Sequence, residues 1–460
     1  MTATDRDRST LSARWQRGFD WLEAELGGRI VRFERQPRWR PAFDLDLERG
    51  GETLPLYWRG DRGTDEGINS VYTLEREGKI LQVLERLGLP VPHVHAFCND
   101  PLGVIMDRAP GRPNLATCQD EAERRAARDH YIELLVEMHA ADTAPFEAIG
   151  LERPTRPDQL GLADLPLWEG QYRKAKRQPE PLVEFATRWV RANVPQGRSE
   201  VTFVAGDSGQ FLFEAGRVTA IIDLELAYLG DPAADLGALF CRDLSEPFGD
   251  LSEAVRLYES LSGRALDPSV VRYHAARFML VTPMATAHFR ADPQPGLDVA
   301  QYTSWYLVYA QATLEVIAEA AGVELVAPSL PEPRASRLTP AARSLVASVE
   351  EIREGAGDDF RAYQAESALR LAQALERQDS HGAALEADDL ADAARLLGTH
   401  PTRWSDADRA LEELILAAPA ERDGELLRFL YRHILRQKAI WQPALREFDG
   451  VRLQSLATGS

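Results

Sequence analysis

Two aspartates in the middle of the chain, each placed directly after a short apolar run, constrain its fold and chemistry more than any other feature. Asp207 follows the strand-like run 201–204 and lies in a loop between glycines, and Asp223 ends the next buried strand-like run. Acidic residues that follow adjacent hairpin arms can converge on one edge of a sheet. Paired carboxylates of this kind bind Mg²⁺ or divide the base and ligand roles in phosphoryl transfer. The alternative is that both are turn formers, because Asp and Gly dominate turns.

Length and charge limit what kind of protein this is. The chain has 460 residues, and at roughly 150 residues per domain this length predicts about three domains. A hydrophobic fraction of 44% argues against wholesale disorder, and a net charge of −19 argues against nucleic acid or an anionic membrane as a partner. No run of about 18 apolar residues is present, and the N-terminus lacks an apolar signal segment. We therefore expect a cytoplasmic protein without membrane spans.

The first 110 residues have the pattern of a small β-rich region with one helix. The segments 38–48 and 53–60 flank Gly50-Gly51 and predict a β-hairpin. The segment 70–88 predicts a helix whose buried stripe carries one acid, Glu77, among the leucines Leu74, Leu81, Leu84 and Leu87. An inward carboxylate needs a cation, so a buried partner for Glu77 is expected.

The rest of the chain is helical except around the two aspartates. A proline-rich run at 326–340 is the best linker, and a separate helical region follows it. The predicted division is an N-terminal lobe over 1–110, a second lobe over 111–328 and a helical domain over 335–460. Five helices are expected in the last part, over residues 341–354, 360–377, 388–397, 407–417 and 425–438.

The segment 205–236 resembles the core of the aminoglycoside phosphotransferase and choline kinase-like family. It reads Ala-Gly-Asp-Ser-Gly-Gln, then Ile-Ile-Asp, then Gly-Asp-Pro-Ala-Ala-Asp-Leu. The resemblance extends over about residues 25–325 and implies an α+β, protein-kinase-like fold of two lobes, to which this chain adds an all-α domain. It also implies ATP or GTP with Mg²⁺, and a small-molecule hydroxyl as the phosphoryl acceptor. Family substrates include aminoglycosides, choline-like alcohols, macrolides and hydroxyacyl-CoA thioesters.

The resemblance assigns roles to individual residues. Asp207 matches the catalytic aspartate that accepts the proton of the substrate hydroxyl, and Asp223 matches the metal-binding aspartate. Arg59 stands where kinases place a phosphate-binding lysine, and Glu77 matches the helix glutamate that pairs with that cation. The hinge that meets the adenine edge corresponds to Met106 and Asp107. In the Gly-Asp-Pro segment, Asp231 and Asp235 are expected to be structural.

Two departures from the family pattern keep a second function open. Ala205 replaces a histidine that supports the catalytic loop, and Leu212 occupies the position of the metal-binding asparagine. Because the loop is shorter, Gln210 is the amide left to bind the metal. The alternative function is therefore a pseudokinase that binds nucleotide or another ligand without transferring phosphate.

Three further expectations concern the surface and the rival motifs. Arg32, Arg35, Arg38 and Arg40 form a local basic patch, either a solvated face or a contact for a phosphate or CoA-type anion. The Gly-Asp-Ser-Gly segment is similar to the nucleophile segment of chymotrypsin-like proteases, but the chain lacks the all-β pattern and early histidine that Ser208 would require. The C-terminal helical domain is a possible surface for homodimer formation.

Overall fold

The computed structural model describes residues 8–38, 40–61 and 71–455, with 15 α-helices and nine strands in that part of the chain. The helices, numbered in chain order, are α1 Ala13–Leu26, α2 Leu74–Arg86, α3 Glu121–Ala140, α4 Ala144–Ala148, α5 Pro157–Leu162, α6 Leu165–Ala175, α7 Pro181–Ala192, α8 Ala233–Arg242, α9 Leu251–Ser262, α10 Pro268–Ala291, α11 Val299–Ala321, α12 Thr339–Glu354, α13 Asp359–Leu397, α14 Trp404–Ala417 and α15 Asp423–Leu445. The strands are β1 Arg29–Arg35, β2 Ala42–Arg49, β3 Glu52–Gly60, β4 Val94–Asn99, β5 Leu102–Asp107, β6 Thr202–Val204, β7 Phe211–Glu214, β8 Arg217–Ile221 and β9 Tyr228–Gly230.

The chain divides into two compact units. The first contains residues 1–153, 201–235 and 246–264, and the second contains 154–200, 236–245 and 265–460. These units cut the chain differently from the three predicted domains, whose boundaries at 110, 328 and 335 remain predictions.

The first unit is built on a five-stranded antiparallel sheet with the strand order β1-β2-β3-β5-β4. The predicted hairpin is confirmed, because Gly50 and Gly51 both have positive φ and connect β2 to β3. Helix α1 packs its buried aromatic face against the sheet, and the shared core comprises Trp15, Phe19, Leu22, Phe33, Phe43, Leu45, Trp58 and Ile105. Strand β3, the middle strand of the sheet, is therefore held rigidly.

Helix α2 packs closely on β4 and β5. A Cβ atom at Gly78 would lie 2.3 Å from the ring of Phe97, so only glycine permits this approach. The helix buries Glu77, Leu81 and Leu84 as predicted. Two other members of the predicted stripe are not buried. Leu74 is only half-buried, and Leu87 lies beyond the end of the helix at Arg86 and is 43% exposed.

The two loops that carry Asp207 and Asp223 lie between short strands. Strand β6 pairs with β9, and β7 pairs with β8 in the hairpin expected from the sequence. The loop 205–210 connects β6 to β7, and residues 222–227 connect β8 to β9. Both aspartates that the sequence singled out are therefore in loops bounded by these two small sheets.

The second unit is helical. Helix α11 packs against α10 and α15, and α14 packs against α7. Lys176 joins α14 to this core, with Nζ 2.7 Å from Glu184 and 2.6 Å from Glu412. The C-terminal helices therefore share a core with residues 154–200 and 265–321.

The C-terminal helices were predicted with one error. Residues 360–377 and 388–397 are parts of one helix, α13, which continues through Ser380 and Gly382. The hydroxyl of Ser380 donates to the carbonyl of Glu376 over 3.2 Å, a bond that is compatible with a continuous helix. In the described part of the chain, no helix is both long and apolar enough to cross a membrane.

Candidate active site

Arg59 lies at the centre of a buried cluster of charges in the first unit. Its Nε donates to Oε2 of Glu77 over 2.8 Å, and its Nη2 forms a short ion pair with Asp223. The same nitrogen is 3.6 Å from Oε2 of Glu225. Arg59 is 5% exposed and Glu77 only 1%, so the structure supplies the buried cation that the acid on helix α2 required. One guanidinium thus joins β3, α2 and the loop after β8.

Burial and shared charge shift the pKa values of this cluster. Burial opposes the charged form of Arg59, but Asp223, Glu77 and Glu225 outweigh it and raise the pKa of the guanidinium. For Glu77, burial is the largest effect and raises its pKa to about 7. The positive charges of Arg59 and Arg40 lower the pKa of Glu77, whereas the negative charges of Asp223 and Glu225 raise it. Glu77 is therefore easier to protonate than an ordinary glutamate.

Asp223 has a left-handed backbone conformation, and two arginines contact the loop that follows it. Its backbone is left-handed, with φ 59°, directly after the buried strand β8. Arg76 of helix α2 fixes this loop by donating to the carbonyls of Glu225 and Ala227. Arg40 forms a short ion pair with Glu225. Of the arginine patch, Arg40 is therefore a buried member of the site, with 2% exposure, and not part of a solvated face.

The loop that carries Asp207 is fixed by a buried carboxylate. Asp235 accepts the N–H of Ala205 over 2.9 Å and the N–H of Gly206 over 3.0 Å. Its Oδ2 also lies 2.9 Å from Nε2 of His139, whose Nδ1 is 2.7 Å from the hydroxyl of Tyr258. The loop is thus supported although Ala205 replaces the family's histidine.

Gln210 connects the two predicted functional aspartates. Its Nε2 donates to Oδ2 of Asp207 over 2.6 Å, and its carbonyl accepts the N–H of Ile222, the residue before Asp223, over 3.1 Å. Asp207, Gln210 and Asp223 are all partly exposed. The structure therefore brings the three together at one accessible edge, and their functional roles remain predictions.

Ser208 is buried, and its hydroxyl forms a hydrogen bond. Its Oγ is 2.9 Å from the hydroxyl of Tyr131, which also accepts the N–H of Gly209 over 2.7 Å. Burial raises the pKa of Tyr131, so this phenol stays neutral. Ser208 holds the loop in place, in agreement with the rejection of a protease-like nucleophile.

Met106 and Asp107 are placed at the end of β5, beside β3. Met106 pairs with Tyr57, and the N–H of Asp107 donates to the carbonyl of His93 over 2.9 Å. The side chain of Asp107 is 2.6 Å from Nε2 of His95. These residues lie in the same sheet as Arg59, but no described contact joins them to the charge cluster.

Glu225 and Arg76 are site residues that the sequence analysis missed, and it named Arg40 only as a member of the basic patch. Glu225 lies two positions after Asp223, and this proximity was the available signal. Arg40 and Arg76 come from segments that are far from Asp223 in the sequence, and no local pattern placed them beside it. Within the described residues, no group of three His, Cys, Asp or Glu side chains is arranged to hold a metal ion. A metal at this site would therefore need ligands beyond the acids.

Comparisons with known proteins agree with the predicted resemblance. Residues 66–274 match the model of the phosphotransferase enzyme family. Acyl-CoA dehydrogenase family member 10 of Mus musculus is 29% identical over 184 residues, which are 37% of this chain and 17% of that protein. Acyl-CoA dehydrogenase family member 11 of Rattus norvegicus is 27% identical over 262 residues, 51% of this chain and 32% of that protein. The matches thus span about a third or less of these relatives.

A solved structure gives the fold. A candidate aminoglycoside phosphotransferase from Ralstonia eutropha superposes with a TM-score of 0.50 at 21% identity, covering 67% of this chain and 98% of that one. The predicted kinase-like α+β fold, with additional C-terminal helices, is confirmed.

Proposed function

Because residues 66–274 match the phosphotransferase enzyme family, we propose that this protein is a small-molecule kinase that transfers the γ-phosphate of ATP or GTP to a hydroxyl group. The observation that carries the proposal is the double contact of Arg59 with Glu77 and Asp223. Phosphoryl transfer depends mainly on positioning and on neutralising charge, and this arrangement supplies a rigid cation beside a carboxylate. Arginine can hold phosphate oxygens through two nitrogens, so the absence of a lysine on β3 is no obstacle.

Asp207 is the proposed proton acceptor. Asp235 fixes its loop through two backbone N–H groups, and Gln210 orients its carboxylate. A substrate hydroxyl that approaches this partly exposed carboxylate would give up its proton there as the oxygen attacks the phosphate. The neutral hydroxyl next to it, Ser208, is buried and takes no part.

The donor set at Asp223 fits Mg²⁺. The Asp223 side chain is 19% exposed, and the Gln210 amide donates an N–H to Asp207, which leaves its amide oxygen as the atom that could bind a metal. Mg²⁺ is usually held by one or two carboxylates together with phosphate oxygens, so three protein acids are not needed. When bound, the ion would neutralise charge on the nucleotide phosphates. Arg59 would then exchange part of its contact with Asp223 for a phosphate oxygen.

The nucleotide base is proposed to meet the chain just beyond β5. The N–H groups of Asp107 and Arg108 are already donated to the carbonyls of His93 and Pro55. In the described part of the chain, no hydrogen bond engages the N–H of Ala109. The predicted hinge contact at Met106 and Asp107 is therefore refined to the carbonyl of Asp107 and the N–H of Ala109.

A pseudokinase remains the second candidate, and one observation favours it. The carboxylate expected to hold the metal is paired with Arg59, and Leu212 replaces the usual asparagine ligand. Such a protein would bind nucleotide without transferring phosphate.

The test compares the wild type with Asp207→Asn on a panel of hydroxylated metabolites. Hydroxyacyl thioesters belong in the panel because the relatives carry acyl-CoA dehydrogenase in their names. We expect phosphoryl transfer to fall at least about a hundredfold in Asp207→Asn. Asp20→Asn, an exposed substitution on α1, should leave transfer unchanged.

Nucleotide binding is measured separately by thermal stability. Mg-nucleotide should stabilise both proteins by about 2.7 kcal/mol at a hundredfold excess over Kd. Stabilisation without turnover on any acceptor would support the pseudokinase, and no stabilisation by any Mg-nucleotide would contradict both functions.

A further inference from the structure

The C-terminal helices of the second unit line an open cavity of about 250 Å³. It lies between α13, α14 and α15, far along the chain from the residues of the phosphotransferase site. Its apolar lining comes from all three helices and comprises Leu385, Leu390, Trp404, Leu411, Phe429 and Ile440. The polar part of the lining comprises Gln378, Glu386, Asp389, Asp408, His433, Arg436 and Gln437. A concave site that combines apolar side chains with polar groups can bind a small molecule.

The cations on the cavity wall are already paired. Nη1 of Arg436 is 2.6 Å from Asp389, and its Nη2 is 2.7 Å from Asp392. Nδ1 of His433 is 3.0 Å from the same Asp389, and its Nε2 is 2.6 Å from Nε2 of Gln437. An anionic ligand would have to compete with these aspartates, so the lining does not favour an anion.

Asp408 is the acid that has no such partner. It lines this cavity and a smaller one beside it. In the described part of the chain, no hydrogen bond or ion pair engages its carboxylate. Its pKa is raised to about 6, mainly by burial; His433 and Arg290 lower it, and Glu180 and Asp389 raise it. Asp408 is partly exposed, so a cation that enters the cavity can reach its carboxylate.

Two aromatic rings belong to the same lining as this carboxylate. Trp404 is one turn before Asp408 on helix α14 and is 53% exposed, so it borders the opening of the cavity. Phe429 faces the cavity from α15. Aromatic faces attract organic cations and also pack against apolar groups.

We propose that this cavity binds a small organic cation, with a substituted ammonium group on Asp408 and an apolar body between Trp404 and Phe429. A bare metal ion does not fit, because the described residues hold no group of three acids, histidines or cysteines arranged for a metal. This proposal does not depend on the proposed phosphotransferase activity and is tested separately from it.

The probe is 2-phenylethylammonium, with 2-phenylethanol as its neutral analogue and phenylacetate as its anionic analogue. Calorimetric titration of the full chain should give saturable one-to-one binding of the ammonium. The alcohol and the anion should bind at least about tenfold more weakly, because they lack the charge-assisted contact with Asp408.

Two variants locate the site. Asp408→Asn should weaken binding of the ammonium at least about tenfold while keeping the shape of the cavity. Ala407→Phe fills the cavity from the buried neighbouring position and should remove binding of all three probes. Asp388→Asn, an exposed change on α13, is the matched control and should bind like the wild type.

The proposal is overturned if the ammonium shows no saturable binding to the wild type at neutral pH. It is equally overturned if Asp408→Asn binds as tightly as Asp388→Asn, or if the alcohol binds as tightly as the ammonium. Circular dichroism melts of each variant establish that a loss of binding is not a loss of fold.

Discussion

The Nε of Arg59 donates to Oε2 of Glu77 over 2.8 Å, and both side chains are almost completely buried. The pair joins the middle strand of the sheet to helix α2. The other end of the same guanidinium contacts Asp223, so the position of this carboxylate depends on the pair. A structural contact and a proposed phosphate contact are therefore combined in one side chain.

Replacing Arg59 with methionine should destabilise the protein by about 3–5 kcal/mol, because Glu77 is left buried without its cation. The double variant Arg59→Met/Glu77→Gln should recover most of this loss, since it removes the unpaired charge as well. Urea unfolding of the wild type, both single variants and the double variant at pH 8 gives the four free energies that this comparison needs.

An exposed pair on the same helix provides the control. Nζ of Lys79 is 2.7 Å from Glu75, and the two side chains are 44% and 63% exposed. Lys79→Met should cost less than about 0.5 kcal/mol, as is usual for exposed pairs at this spacing. If Arg59→Met and Lys79→Met lower the free energy of unfolding equally, burial of the Arg59–Glu77 pair does not increase its contribution to stability.

Gln210 should determine the requirement for Mg²⁺. Gln210→Ala removes the amide that orients Asp207 and the proposed metal ligand, so we expect at least about a tenfold rise in the Mg²⁺ concentration for half-maximal nucleotide binding. Adding Leu212→Asn should not restore it, because Leu212 lies inside strand β7 opposite Ala220. Restoration by Leu212→Asn would mean that the metal is held from the family's usual position.

Two glycines with similar backbone angles should respond very differently to alanine. Gly206 has φ 82° and Gly197 has φ 72°. A Cβ at Gly206 would lie 2.2 Å from the carbonyl oxygen of Leu226, whereas nothing lies within 4 Å of one at Gly197. Gly197→Ala should cost about 1 kcal/mol from the left-handed backbone alone. Gly206→Ala should cost clearly more and reduce phosphoryl transfer, and similar thermal unfolding of both variants would contradict the close packing of the loop that carries Asp207.

Local patterns predicted the parts of the site that are close in sequence. Glu77 was recognisable because it interrupts an apolar stripe, and its need for a cation follows from burial alone. Gly50-Gly51 predicted the hairpin that places Arg59 on β3. The order of Asp207, Asp223 and the Gly-Asp-Pro segment indicated the fold.

Contacts between distant segments could not be predicted in this way. Arg40 reaches Glu225 from 185 residues away, and nothing in the basic run around it separates a buried arginine from a solvated one. The long helix α13 was predicted as two helices, over 360–377 and 388–397. In the structure the residues between them, including Ser380 and Gly382, are helical as well.

Stability should depend on the titration of Glu77. Its pKa is about 7 in the folded protein, against 4.5 for the ordinary glutamate of an unfolded chain. A raised pKa in the folded state means that the protonated carboxyl favours folding. This contribution is complete below about pH 4.5 and is lost as the pH rises through 7, by about 3 kcal/mol at most.

Glu77→Gln is a neutral copy of the protonated carboxyl and serves as the reference. The free energy of unfolding of the wild type minus that of Glu77→Gln should fall between pH 5 and pH 8, measured by urea unfolding at several pH values. Asp223→Asn should move the midpoint of this fall to lower pH, because the charge of Asp223 is one cause of the raised pKa. A difference that stays constant or rises with pH would mean that Arg59 keeps Glu77 ionised throughout, and the acid would then be a permanent partner of the guanidinium.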